Sequence, residues 1–261
     1  MSRLFIFAGI VLLLLVSVRG ARRRRVAPVA PAVDRSNQRL NQLFQDVDTK
    51  PDSPIGLGYK NSWLAVRSER SEAVISFLAI DRLQSGNWKS GCIAAYNGGM
   101  FVTPPINGWV LVFTSKIPTP DTESDAEEWT ALMKSLSEKF GESQFFGTHR
   151  IVGYNAWAQF VHGHEVRAYA FSGESGETLV DRGARTEAEI ELGYRYFDSN
   201  SHESKDDSYW DREDLCYPDE DHVMALAGKW SVNPSSIGEL NLPQSIGWVG
   251  LPRRPMQQLI K

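Results

Sequence analysis

Between Gln144 and Val180 the chain alternates short apolar runs with glycine, a pattern that few architectures other than an antiparallel sheet accept. Gln144 to Phe146, Tyr154 to Val161 and Val166 to Phe171 read as strands, with Thr178 to Val180 as a further short one. Gly147, Gly153, His162-Gly163 and Gly173 supply the breaks between them. Strands joined by such short connections pair antiparallel, because a parallel crossover needs a dozen or more residues.

The flanking segments extend this reading. Ser62 to Ser68 is a plausible first strand, and Trp109 to Thr114 a strongly apolar, central one. Glu72 to Leu83 is compatible with strand or helix. Ile93 to Tyr96 and Met100 to Thr103 read as two strands around the Asn97-Gly98-Gly99 turn. The best-marked helix starts at Ser124, places Trp129, Leu132, Met133, Leu136 and Phe140 on one face, and stops at Gly141. Thr186, with Glu189 three residues on, forms a capping box for a short helix to Leu192. His222 to Lys229 is a last short helix, and the proline-containing tail from Asn233 is expected to run extended. Hairpins with one long helix and no βαβ alternation define an α+β class, with a predominantly antiparallel strand meander, one long packing helix and short helices. The strand and helix faces account for Trp63, Trp88, Trp109, Trp129 and Trp157 as core.

The N-terminus locates the chain. Leu4 to Val18 is an apolar run of about 15 residues, roughly 22 Å as a helix, followed by Arg19 and Arg22 to Arg25. Five arginines on the C-terminal side, against Arg3 on the other, favour an uncleaved transmembrane helix, N-out/C-in, with a cytoplasmic domain. The alternative is an exported protein whose signal peptide is cleaved, in which Cys92 and Cys216 could pair. The chain therefore divides into an anchor with a polybasic flank (1–25), a Pro/Ala-rich linker with a short amphipathic helix over Asp34 to Val47 (26–58), and one α+β domain with an extended tail (59–261). Six of the 28 basic residues and none of the 32 acids lie in the first 25 positions, so the remainder has a formal charge of about −10. A body that acidic argues against nucleic acid as a partner, and leaves the membrane to residues 4–18 and Arg22–Arg25.

No nucleotide-binding glycine motif, GxSxG or EF-hand loop occurs, no metal site is suggested, and no cofactor is expected. His162 and His164, with Glu165, fit a hairpin turn better than a metal site. Two polar clusters stand out. His149 and Arg150 sit where one strand gives way to the next, and Arg150 suits a carboxylate or phosphate. Tyr154, Trp157 and Glu165 are the nearest candidates to line a pocket there. The second cluster is His202 to His222, with nine acids against Lys205 and Arg212. Tyr209, Trp210 and Tyr217, interleaved with Asp211 and Asp214, make it an adhesive surface as much as a solvated loop.

Thr103 to Val112 (TPPINGWVLV) and Phe140 to Ala158 (FGESQFFGTHRIVGYNAWA) resemble stretches of a family of uncharacterised bacterial proteins, marked by TPPxxGWVLV and THRxxxYxAWA. The similarity continues at Arg167-Ala168-Tyr169, Gly173 to Leu179 and Ala227 to Pro234. It covers roughly residues 91–234, implies a bacterial protein, and transfers no activity or catalytic residue.

Two functional expectations follow. The first is a membrane-tethered cytoplasmic module that binds another protein, a basic one by charge, without catalysis; an immunity or inhibitor protein is one form of it. The second is an enzyme or small-ligand-binding domain using His149 and Arg150.

Overall fold

The computed structural model describes Gln38 and residues 41–257; the anchor and the first part of the linker lie outside them. Among the described residues no helix is long and apolar enough to cross a membrane. Nine antiparallel strands form one sheet, in the order β2-β9-β3-β4-β1-β5-β6-β7-β8. They are β1 (Ser62–Arg67), β2 (Leu78–Asn87), β3 (Met100–Val102), β4 (Trp109–Phe113), β5 (Glu142–His149), β6 (Tyr154–Val161), β7 (His164–Ser172), β8 (Glu177–Arg182) and β9 (Ile246–Gln257). The helices are α1 (Ser71–Phe77), α2 (Trp88–Tyr96), α3 (Glu123–Phe140), α4 (Glu187–Glu191) and α5 (Glu220–Trp230).

Both faces of the sheet are covered, which explains why its central strands are apolar throughout and do not alternate. On one face Leu64, Val112, Phe145 and Phe160 pack under α1 and α3, with the indole of Trp129 edge-on to Phe145 and Phe160 at 6.0 and 5.5 Å. On the other, Trp63, Phe113, Phe146 and Trp157 lie against α2 and α5. Trp63 stacks on Phe146 at 5.1 Å, and Trp88 meets Phe101 at 5.4 Å. All five tryptophans assigned to the core are buried.

The meander from β5 to β8 follows the turn signals. His162 (φ 48°) and Gly163 (φ 83°) form the tight β6–β7 turn in the left-handed region, the backbone that a two-residue hairpin of this hand requires. α3 runs along the expected face and ends at Gly141 (φ 86°), although it begins at Glu123 after Thr122 and Ser124 is not its cap. α4 carries the expected capping box, with Thr186 and Glu189 bonded reciprocally. Glu72 to Leu83 is both alternatives in succession, helix to Phe77 and strand from Leu78.

Two expectations fail. Ile93 to Tyr96 is not a strand but the last part of α2. Long-range capping decides this: Asn87 accepts from Ser90 N–H, and the Asp52 carboxylate accepts from Trp88 N–H at 2.7 Å and Lys89 N–H at 3.1 Å. The C-terminal segment is not merely docked, because β9 is an interior strand between β2 and β3. Its prolines are tolerated because β3 pairs only with Trp248, Val249 and Gly250, so Pro252 and Pro255 lie beyond the reach of that neighbour.

α2 approaches the sheet through Gly91, where a Cβ would lie 2.1 Å from the Phe101 ring. Gly91→Ala is expected to destabilise the fold by about 1–3 kcal/mol, the usual range for overpacking a tight core. Urea denaturation, with the slope unchanged, measures this.

Candidate functional site

β8 is the outer strand at one end of the sheet. The chain folds back over it through α4, a segment at 194–198 and two short 3₁₀ turns at Glu203–Lys205 and Asp207–Asp211. Between this lobe and the strands lies a cleft of about 480 Å³.

Its floor is a buried ion pair. Arg167 on β7 is 2% exposed and Glu189 on α4 is 1% exposed. Arg167 Nε donates to Glu189 Oε1 at 3.0 Å, and its Nη1 donates to the Asp181 carboxylate and the Arg182 carbonyl. Glu189 Oε1 also accepts from the Trp157 indole N–H at 3.0 Å, and Oε2 from the Thr186 N–H and hydroxyl at 2.8 and 2.9 Å. Burial opposes the charge on Arg167, and Glu189 and Asp181 more than restore it, so the guanidinium is held more firmly charged than usual. A β-bulge delivers this arrangement: Phe160 pairs with Glu165 and Gln159 with Arg167, leaving Val166 as the extra residue of β7. Gly183 accommodates it, since a Cβ there would meet the Val166 carbonyl oxygen at 2.1 Å.

Aromatic rings wall the cleft. Trp157 stacks on Tyr169 at 4.6 Å, and Tyr196 lies 5.4 Å from Tyr169 and 5.7 Å from Tyr194. Burial pushes the phenols of Tyr169, Tyr194 and Tyr196 upward, so all three stay protonated. Tyr194 donates to the His222 carbonyl at 2.7 Å. The Tyr169 and Tyr196 hydroxyls are buried; that of Tyr196 makes no hydrogen bond among the described residues, and that of Tyr169 has only the Thr178 side chain beside it.

The acidic segment forms the roof. Phe197 stacks on Trp210 at 5.6 Å and contacts Tyr209 and Tyr217 at 5.5 and 5.0 Å. Tyr209 is buried and its hydroxyl accepts from the Asp198 N–H, whereas Trp210 and Tyr217 remain 39% and 51% exposed. Asp214 is paired with both Arg195 and Arg212, and Asp211 ends a 3₁₀ turn at the surface. Of the aromatic and acidic residues singled out in this segment, Tyr209 alone lines the cleft, with Arg212 beside it.

The other cluster is arranged differently. Arg150 donates to Glu220 through Nε at 3.1 Å and Nη2 at 2.8 Å, and its guanidinium lies 5.2 Å from the Tyr59 ring. His149 has a buried Nδ1 without a partner among the described residues. Neither residue lines the cleft. Tyr154 donates to Asp121 at 2.6 Å on the α3 side, Trp157 faces the opposite side of the sheet, and Glu165 pairs with Arg182. The structure does not bring these residues together. Cys92 and Cys216 are free thiols, and burial pushes Cys92 up to about 12, so its thiol stays protonated at neutral pH. Among the described residues no three His, Cys, Asp or Glu side chains converge as metal ligands.

Sequence reading identified Glu189 only as a helix cap and passed over Arg167. The available signal was an arginine inside the otherwise apolar run Val166 to Phe171, a residue that a covered strand keeps only when it is paired. Comparison with known families, curated proteins and solved structures yields no match to this chain.

Arg167→Met strands the Glu189 carboxylate and is expected to cost about 3–5 kcal/mol of stability. The double variant Arg167→Met/Glu189→Leu should recover part of that loss, and denaturation of both variants is the check. At Asp214 the hydrogen-bonded Arg212, with Arg195 adding, holds the carboxyl down to about 2, from an ordinary 3.8. A depressed carboxyl stabilises fully above its ordinary value and loses that contribution as pH falls to the folded one. The lobe should therefore hold at neutral pH and loosen between pH 3.8 and about 2, read by Trp210 fluorescence against a Trp210→Phe control.

Proposed function

We propose that this chain is a membrane-tethered binding module of bacterial type, which holds a basic protein partner against the lobe at 197–217 and performs no chemistry. An immunity or inhibitor protein is the concrete form that fits this role. The observation that carries the reading is the pairing of exposed aromatics with surplus acid. Trp210 and Tyr217 are held in place by Phe197 and remain exposed within a segment of nine acids and two basic residues between the flanking histidines. Aromatic side chains fixed before binding lose little entropy on contact, and they concentrate where interfaces derive their energy. The surrounding negative charge draws a basic partner and speeds encounter. The apolar run at residues 4–18, with Arg22–Arg25 behind it, supports an anchor that keeps this surface on the cytoplasmic side.

The competing reading, a ligand or catalytic site at His149 and Arg150, has less support. A ligand there would have to displace Glu220 from a two-bonded pair with Arg150.

Two measurements test the proposal. Affinity capture of the full chain from its native host should yield a basic protein whose recovery falls at least about tenfold in Trp210→Ala/Tyr217→Ala, as for loss of central aromatic anchors. Recovery unaffected by that change, or by raised salt, counts against the lobe. Reporter fusions at the C-terminus should report a cytoplasmic position, and a processed, soluble exported protein would remove the tether.

A further inference from the structure

We infer that the cleft under the lobe is a binding site for a small dipolar molecule, a free α-amino acid with an aromatic side chain. This goes beyond the protein contact proposed for the lobe and does not depend on it. It follows from how the charges of the cleft are paired. Four arginines and four carboxylates line it. Ion pairing accounts for six of these eight groups: Arg167 holds Glu189 and Asp181, Arg212 holds Glu203, and Arg195 holds Asp214, which is outside the lining. Asp181 and Glu203 each keep a spare oxygen, but their side chains are mostly exposed and water serves it. One cation and one anion are left without a counter-charge. Arg185 makes a single hydrogen bond, from Nη1 to the Tyr194 carbonyl at 2.9 Å. Asp198 is half-buried, and its Oδ1 accepts from the backbone N–H groups of Asn200 at 3.0 Å and Thr178 at 3.4 Å. The two do not pair with each other among the described residues. Arg185 is held at one end of the 194–198 segment, and Asp198 forms the other.

A lone anion in the cleft would answer Arg185 and leave Asp198 facing like charge; a lone cation would do the reverse. A molecule that carries both charges answers both. Its carboxylate takes the free Nε and Nη2 of Arg185, and its ammonium takes the free Oδ2 of Asp198. The Nε/Nη2 edge is the one by which Arg150 and Arg182 each grip a carboxylate in this protein. Free α-amino acids carry both charges at neutral pH. Tyr196 and Leu215, both half-buried, line the same cleft, and Tyr169 backs the Tyr196 ring at 5.4 Å. Against such a wall a flat aromatic side chain packs best. The buried hydroxyls of Tyr169 and Tyr196 take no part in this scheme. A volume of about 480 Å³ lies within the range of small-molecule sites.

Equilibrium dialysis of the full-length protein in non-ionic detergent against radiolabelled L-phenylalanine, with empty micelles subtracted, tests this. Saturable binding is expected. Phenethylamine and 3-phenylpropionate, which each keep one of the two charges, should compete at least about tenfold more weakly, the effect of losing hydrogen bonds to a charged group. Arg185→Gln and Asp198→Asn should each weaken binding of L-phenylalanine by a similar factor. Each should also erase one preference: Arg185→Gln that against phenethylamine, and Asp198→Asn that against 3-phenylpropionate. A merely structural role for either residue would not move the two preferences separately. Arg150→Gln, outside the cleft, should leave binding unchanged. Should Asp198→Asn fail to fold, the analogue series on the unaltered protein decides alone. No saturable binding of L-phenylalanine up to ~10 mM, where even feeble sites fill, would overturn the proposal. So would single-charge analogues that bind as well as the amino acid, or folded variants that weaken all three ligands alike.

Discussion

Arg167 and Glu189 face each other in a corner that excludes water, and neither charge is tolerable there without the other. Their pairing ties together four parts of the chain: the bulged strand β7, the indole of Trp157 on β6, the Thr186 cap of α4, and the backbone after β8. With α4 fixed, the segment at 194–198 passes over the sheet, and Phe197 gives the acidic lobe something apolar to close on. The cleft is the space that remains between that lobe and the strands. By holding α4 against β7, the pair thus sets where the cleft lies.

Much of the framework was legible because it rests on local rules. The β5–β8 meander could be read from glycines at turns, α3 from one apolar face, and α4 from Thr186 and Glu189. What escaped depends on residues far apart in sequence. The run Trp88 to Tyr96 contains alanines and apolar residues without a clear period, and its helical state is set by Asp52, more than thirty residues upstream. β9 reads as an irregular tail because Pro252 and Pro255 suggest one, and only the shortness of β3 makes those prolines harmless.

The cleft was hidden for a related reason. Arg167 follows Val166 in a strand whose simple alternation would send one of them outward, and the bulge decides that the valine is the exposed one. A bulge leaves little trace in a single sequence beyond Gly183, whose role becomes clear only once the Val166 carbonyl is seen against it. The aromatics of the acidic segment, by contrast, stand out from composition alone. Its internal order, with Tyr209 turned inward and Trp210 and Tyr217 outward, needed Phe197.

The place of β9 between β2 and β3 has a kinetic consequence. Strands that meet across so long a stretch of chain close a large loop before any contact stabilises them, which slows folding. Until residues 246–257 arrive, β2 has no neighbour in the sheet and the apolar β3 presents a bare edge. An intermediate of that shape can recruit a strand from another molecule in place of its own. The yield of this protein on refolding should therefore be governed by concentration, with the last strand competing against its copies for one vacant slot.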